Sequence, residues 1–346
     1  MKNAEVSTVE NLLYDRQDLD IRWRITTLCN YQCDFCIQGD NREHILQAKG
    51  ESSRLSEEIC DRLVCFMESQ PDDRRIKFSL IGGEVTILKS FPMLFEKLVM
   101  CDFPGSISFD LTTNFSEDAA FFCDLCDIIQ NKAKGKKRSL SLLTSFYPEY
   151  VTSKEFTDKL IEVCLHAKQN DLKSDDRVHF SMGVPMLRDE DYSEMLRIRS
   201  ILKGYEVNVQ PIIIRNYNTQ LSDEVLGKIV RTKGSELRVT DIHGEVHFYR
   251  NIRALGAALE DKDSFDPRGY LCDAGICNFW VDAFGNVKRC PTIGSTMSMG
   301  NILDGSFRML EKPDICTCDH CSCTQFGKIS KPDPDTQKSH AAGAYR

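Results

Sequence analysis

Six short apolar runs, each followed by an amphipathic stretch, constrain this chain more than any other feature. The runs are Ile21–Thr27, Ile76–Leu80, Ser106–Thr112, Ser139–Ser145, Val178–Val184 and Val207–Ile214. Each has the length of a strand and is bounded by polar or turn residues. Helical patterns lie between them at Phe91–Met100, Glu117–Ile129, Lys154–Lys168 and Asp189–Leu202. A further helix can start from a Ser56 cap, with Glu57 and Glu58 in its first turn and Ile59, Leu63, Val64 and Met67 as its apolar stripe. Strand and helix in alternation imply an α/β fold with a parallel sheet covered by helices. Whether that sheet closes is not contained in the pattern.

Cysteine is the second constraint. Sixteen cysteines would form disulfides in a small secreted chain. This chain has 346 residues, and its start, Met1-Lys-Asn-Ala-Glu-Val, lacks the apolar region of a signal peptide. The thiols therefore read as metal ligands and reduced core residues. Cys60, Cys65, Cys101, Cys123, Cys126 and Cys164 fall mostly in helical patterns and read as core filler.

Cys29, Cys33 and Cys36 are different. They sit at C-x3-C-x2-C spacing just past the first strand. Three closely spaced thiolates can hold three irons of a four-iron cluster and leave the fourth open to a small ligand. The bland alternatives are a zinc knuckle or core cysteines. Structural zinc takes four ligands, usually in C-x2-C pairs, and His44 is the only fourth candidate nearby.

Seven more cysteines follow residue 271: Cys272, Cys277, Cys290, Cys316, Cys318, Cys321 and Cys323. The segment between Cys277 and Cys290 has a hairpin pattern with its turn near Gly285-Asn286, which brings those two thiols to the open ends of paired strands. The last four lie in one tight C-x-C-x2-C-x-C loop. Seven thiols fit one closed cluster plus a three-thiolate site, or one cluster with spares, and zinc is the alternative for the last four.

Polar and glycine residues mark the strand ends. The second strand ends in Leu80-Ile81-Gly82-Gly83-Glu84, where two glycines let backbone approach closely. The third ends in Thr113-Asn114-Phe115 and the fourth in Thr144-Ser145-Phe146, and either tip can also cap the helix that follows. The sixth carries Gln210-Pro211.

The cysteine spacing, with Phe35 directly before the third thiol, resembles the signature of the radical S-adenosylmethionine (SAM) superfamily. The resemblance implies a partial (β/α)6 barrel with function at the carboxyl ends of its strands. It implies a [4Fe–4S] cluster on Cys29, Cys33 and Cys36 whose open iron binds SAM, which is split to a 5′-deoxyadenosyl radical. Gly82, Gly83 and Glu84 resemble the family's GGE motif, which binds the SAM amino group, although Val85 stands where proline is common. Asn114 resembles the Thr-Asn-Gly of relatives, with Phe115 in place of the glycine. Thr144 and Ser145 resemble the position that contacts the SAM ribose and carboxylate.

The segment from Cys272 to Gly305 resembles the auxiliary-cluster extension called SPASM, or its shortened twitch form. The matching residues are Cys272 with Gly275, Gly285 with Cys290, and Met299-Gly300-Asn301-Ile302 before Asp304-Gly305. The compressed final loop departs from the usual C-x2-C-x5-C and C-x3-C, so one or two auxiliary [4Fe–4S] clusters remain open.

On this reading residues 1–19 are an extension, 20–220 the barrel, 221–271 a connector, 272–327 the auxiliary-cluster domain and 328–346 a flexible tail. The connector holds a short helix at Ser222–Val230, a hairpin and a charged loop from Asp261 to Arg268. A net charge of −8 argues against non-specific nucleic-acid binding. The basic stretch Lys132 to Arg138 reads as a solvated turn. No apolar run is as long as a membrane span. The expected protein is cytoplasmic and takes electrons from a donor such as flavodoxin or ferredoxin. Relatives with this extension commonly modify peptides, so oxidative modification of a peptide or protein is the first reading. The short stretch before residue 20 leaves no room there for a peptide-recognition domain, and carbohydrate or other small-molecule chemistry is the second. A non-catalytic iron–sulfur or zinc scaffold is a third, against which the Gly82-Gly83-Glu84 motif argues, since a scaffold needs no SAM site.

Overall fold

The alternation read from the sequence forms one sheet in the computed structural model, which describes residues 18–36, 51–170, 177–214, 220–232, 236–240, 246–250, 271–272, 274–290, 298–317 and 329–330. The order is β1 (Asp18–Thr26), α1 (Glu51–Glu68), β2 (Arg75–Gly82), α2 (Phe91–Met100), β3 (Ser106–Thr113), α3 (Ala119–Asp127), β4 (Arg138–Ser145), α4 (Ser153–Asn170), β5 (Val178–Met186), α5 (Asp189–Leu202), β6 (Asn208–Ile213) and α6 (Asp223–Thr232). Strands β1 to β6 pair in sequential order, all parallel. Beyond them lie β7 (Glu236–Thr240) and β8 (Val246–Arg250), which form the antiparallel hairpin expected there. Then come β9 (Leu271–Cys272), β10 (Asn278–Val281), β11 (Asn286–Lys288), β12 (Ser298–Asn301), β13 (Asp314–Ile315) and β14 (Ile329–Ser330).

The distal strands do not all stand apart. β10 pairs parallel with β1, and β11 and β12 follow antiparallel, so a nine-stranded sheet runs β12-β11-β10-β1-β2-β3-β4-β5-β6. A second sheet orders β13-β9-β14.

The two faces of the main sheet differ in chemistry because successive strand residues point to opposite sides. Ile21, Trp23, Ile25, Phe78, Leu80, Ile107, Phe109, Leu111, Leu140 and Leu142 are buried in the core. They share the face that the helices cover, as when Phe95 of α2 packs edge-on against Phe109 of β3 at 5.4 Å. The intervening positions are polar. Arg22, Ser79, Asp110 and Ser141 stand side by side in the parallel registers. At such a surface ordered groups must find partners, and Lys77 pairs there with Asp110 at 2.8 Å.

Three expectations are corrected. Helix α1 begins at Glu51, so Ser56 lies inside it, and its hydroxyl donates to the carbonyl of Ile25 at 3.1 Å. A small hydroxyl residue on the sheet-facing side can bond to the sheet where a cap would face solvent. Arg138 is buried, whereas a solvated turn was expected: its guanidinium donates to the carbonyls of Val99, Gly105 and Phe103, which satisfies the charge without an acid. Of the six core cysteines, Cys60, Cys101, Cys126 and Cys164 are buried, Cys123 is half-buried and Cys65 is exposed. No helix among the described residues is long and apolar enough to cross a membrane. The N-terminal extension up to residue 17, His44, the loop 261–268, residues 331–346 and the side chains of Cys272, Cys318, Cys321 and Cys323 lie outside the described residues.

Candidate functional site

The C-x3-C-x2-C loop leaves β1 at its carboxyl end, and backbone bonds fix its root to β2. The N–H of Gly83 donates to the carbonyl of Thr26 at 2.9 Å, and the N–H of Glu84 donates to that of Leu28 at 2.7 Å. The Thr26 hydroxyl accepts the N–H of Leu28 at 3.0 Å. These contacts explain the glycine pair. A Cβ on Gly83 would lie 2.1 Å from the Leu28 carbonyl oxygen, and one on Gly82 would lie 2.8 Å from that of Thr26. The loop root therefore sits where side chains at 82 and 83 would be.

Glu84 ties the next strand to the same place. Its side chain is buried, and Oε1 accepts from the N–H of Thr86 at 3.1 Å, the Thr86 hydroxyl at 2.7 Å and the Thr113 hydroxyl at 2.9 Å. Oε2 accepts the N–H of Asn114 at 2.5 Å. Burial pushes this carboxyl above the usual carboxylate range, and the hydrogen bonds from Asn114, Thr86 and Thr113 oppose the shift. Asn114 then reaches the cysteine loop: its Nδ2 donates to Asn30 Oδ1 at 2.8 Å, while its own Oδ1 accepts the N–H of Ser116 at 3.0 Å. Asn30 Nδ2 donates to the Ser116 hydroxyl at 2.9 Å. So the tip of β3 clamps the loop as well as turning toward α3, whose cap is Asp118.

Aromatic rings after β4 wall the thiols. Tyr31 stacks on Tyr150 with centroids 3.9 Å apart, and the Tyr150 hydroxyl accepts the N–H of Gln32 at 2.7 Å. Phe35 stacks with Tyr147 at 5.9 Å. Burial first, then the nearby Cys33 thiol, raises the Tyr147 hydroxyl above its ordinary range; Cys36 and Cys29 add to the shift, and a hydrogen bond with Ser145 opposes it. A cleft beside this wall is lined by Phe35, Tyr147, Pro185, Leu187, Arg188 and Asp191. Thr144, by contrast, is buried, and its hydroxyl donates to the carbonyl of Ser181 at 3.1 Å.

The three thiols differ in surroundings: Cys29 is exposed, Cys33 buried and Cys36 half-buried. The N–H of Cys36 donates to the carbonyl of Cys33 at 3.1 Å, which folds the last two toward each other. Among the described residues no three His, Cys, Asp or Glu side chains are gathered closely enough to hold a metal ion. As a donor set on one loop root-bound to two strand ends, the three thiols fit three corners of an iron–sulfur cluster.

Two of the distal thiols flank the hairpin of β10 and β11. Cys277 is buried and Cys290 half-buried, just outside the paired strands β10 and β11. The turn joining those strands is where it was expected, with Gly285 at φ +80°. Arg289 is buried, pairs with the Asp314 carboxylate at 3.0 Å and donates to the Asp314 carbonyl at 3.0 Å. Asp314 pairs across to Cys272 in β9. This links the segments that carry Cys272, Cys290 and Cys316.

Sequence reasoning missed Asn30, Tyr31, Tyr147 and Tyr150, and the pair Arg24 and Trp280. The signal for Tyr147 and Tyr150 was present: both follow β4, a strand that ends on the same side as the cysteine loop.

No protein-family model matches the chain, and no curated protein matches it. Among solved structures it is similar to SuiB of Streptococcus suis, with 12% identity, a TM-score of 0.43, and coverage of 83% of this chain and 64% of that one. SuiB bound to the precursor peptide SuiA gives 12% identity and a TM-score of 0.43 over 87% of this chain and 67% of that chain. BtrN in complex with AdoMet and 2-DOIA gives 12% identity and a TM-score of 0.37 over 84% and 80%. The chain thus spans 64% of the length of SuiB in the first of these comparisons.

Proposed function

We propose that the protein is a radical SAM enzyme built on a partial (β/α)6 barrel, with Cys29, Cys33 and Cys36 holding a [4Fe–4S] cluster. One observation carries the reading. The C-x3-C-x2-C loop and the Gly82-Gly83-Glu84 turn, far apart in sequence, form a single site through the bonds of Gly83 to Thr26 and of Glu84 to Leu28. When bound together, a cluster with an open iron and SAM supply one-electron cleavage of the sulfonium and a carbon radical that removes a hydrogen atom from substrate.

The chain's residues bind, orient and shield. Gly82 and Gly83 bring the β2 backbone against the loop, and Glu84 holds the tips of β2 and β3 in one arrangement. Asn114 anchors the loop through Asn30. Thr144 fixes the end of β4 on β5, which sets Ser145 beside Tyr147. Phe35 and Tyr147 offer an apolar wall of the cleft against which a planar ring can stack. The Tyr147 hydroxyl, raised by burial, stays protonated at neutral pH and can donate a hydrogen bond.

Cys272, Cys277, Cys290, Cys316, Cys318, Cys321 and Cys323 are read as the residues that would hold one or two auxiliary [4Fe–4S] clusters, which would give a net oxidation its electron acceptor. A cytoplasmic donor of the flavodoxin or ferredoxin type would supply the first electron. The substrate is read as a peptide or a small molecule, and the polar face of the sheet, with Arg22, Ser79, Asp110 and Ser141, favours a small polar group.

Anaerobic reconstitution tests the reading. The wild-type protein should hold about four more irons than a variant with Cys29, Cys33 and Cys36 all changed to alanine. The electron paramagnetic resonance signal of the reduced wild type should shift on adding SAM. Equal iron in both proteins, or a signal indifferent to SAM, contradicts it.

A further inference from the structure

Arg24 carries a half-buried charge with no ion-pair partner among the described residues. It lies on β1, on the polar face of the main sheet. Two other cations of this face have partners: Arg22 pairs with Asp20 at 3.6 Å and Lys77 with Asp110 at 2.8 Å. Arg24 instead lies over the indole of Trp280, 5.1 Å from the ring centroid. The parallel pairing of β10 with β1 explains the contact. Trp280 stands opposite Arg22, so both point to the same face, and Arg24 is the next β1 residue on that face.

Two buried donors face this place without an acceptor among the described residues: Arg24 Nε and Trp280 Nε1. The acid whose charge acts most on Arg24 is Asp282, and its carboxylate is committed elsewhere. Asp282 Oδ1 accepts the N–H groups of Phe284 and Asn286 at 2.9 Å each, and Oδ2 accepts from Asn286 Nδ2 at 3.0 Å. A buried guanidinium N–H without an acceptor is costly, and the indole face offsets only part of that cost. Burial accordingly pushes the Arg24 guanidinium below its ordinary range, with Asp282 and then Cys36 opposing. Arg24 lies two residues before the end of β1, from which the cysteine loop leaves.

We propose that Arg24 and Trp280 bind an anionic group of the substrate, a carboxylate or a phosphate, on the polar face of the sheet beside the cysteine loop. A planar guanidinium matches two oxygens of either group at once, and the indole N–H supplies one further donor. The anion would satisfy both orphaned donors and neutralise the charge. That the anion belongs to the substrate rests on the radical SAM reading; the anion site itself does not.

The test is an equilibrium titration of the full chain with inorganic phosphate and, separately, with acetate, each in the absence and presence of saturating SAM. The wild type should bind at least one of the two saturably, and binding should be unchanged by SAM. Arg24→Gln should bind at least about tenfold more weakly, Arg24→Lys should lose a few-fold because it keeps the charge but not the two-pronged geometry, and Trp280→Phe should lose a few-fold because it keeps the ring but not the donor. Circular dichroism checks that each variant is folded. If Arg24→Gln does not fold, Arg24→Lys and Trp280→Phe decide by the same criteria. No saturable binding by the wild type, or equal binding by wild type and Arg24→Gln, overturns the anion site. Loss of phosphate and acetate binding on adding SAM assigns the site to the cofactor's carboxylate and overturns the substrate claim. Failure of the iron and SAM measurements above, with anion binding intact, would overturn the radical SAM reading alone.

Discussion

The carboxylate of Glu84 accepts the backbone N–H of Asn114 at 2.5 Å, joining the end of β2 to the end of β3. Asn114 passes the connection on to Asn30 in the cysteine loop at 2.8 Å. Glu84 therefore orders the site while being buried itself. Replacing it by glutamine keeps the shape but supplies only one acceptor oxygen. Whichever way the amide turns, its NH2 faces a backbone N–H, that of Thr86 or that of Asn114. Glu84→Gln should cost about 1–3 kcal/mol, the usual penalty for a buried donor left unsatisfied. Urea unfolding reads the loss, and iron content after reconstitution should fall with it. Wild-type stability in the variant would show that the carboxylate is not what holds the two strand ends.

Phe115 holds a backbone conformation that favours glycine, with φ +60°. Its ring packs against Phe122 at 4.2 Å and Phe156 at 5.2 Å, and Lys159 Nζ lies 4.7 Å above it. Lys159 also donates to the carbonyls of Phe115 and Glu117. The aromatic cluster outweighs the strain. Phe115→Ala should destabilise by about 3–5 kcal/mol through the cavity it leaves. Phe115→Gly should cost about 1 kcal/mol less than that, because glycine adopts this conformation without strain. A glycine variant less stable than the alanine one would contradict the account.

Thiol reactivity should separate the cysteines by environment. Burial pushes the thiols of Cys60 and Cys164 up to about 12, and that of Cys126 well above its ordinary range. The thiolate is the reactive form, so these three should resist iodoacetamide at about pH 8 in the folded protein, with rates rising about tenfold per pH unit. Exposed Cys29 and Cys65 should react first. Peptide mass spectrometry checks the order. Anaerobic reconstitution with iron and sulfide should then protect Cys29 and leave Cys65 reactive. Labelling of Cys126 alongside Cys65 would contradict the burial argument.

Much of the sheet was legible because local periodicity determines it. Helices Phe91–Met100 and Asp189–Leu202 run as the apolar spacing implies, and six parallel strands follow one another in order. What local pattern cannot carry is pairing between distant segments. The parallel pairing of β10 with β1 has no sequence signature, and so the meeting of Arg24 with Trp280 was invisible. The cysteine spacing and the glycine pair were both legible, but the immediate reason for the glycines was not. They admit the carbonyls of Thr26 and Leu28, a contact between residues more than fifty positions apart. Ser56 misled for a related reason: serine before two glutamates is a cap signal, and only the sheet beside it shows a different partner for its hydroxyl.

The central claim is that the loop of Cys29, Cys33 and Cys36 cleaves SAM. The most direct measurement is 5′-deoxyadenosine released by the anaerobically reconstituted protein with dithionite and SAM, quantified by mass spectrometry. The account predicts product from the wild type and none above background from the variant with all three cysteines changed to alanine. Equal product from the two proteins, or none from a wild type whose loop carries its iron, would contradict it.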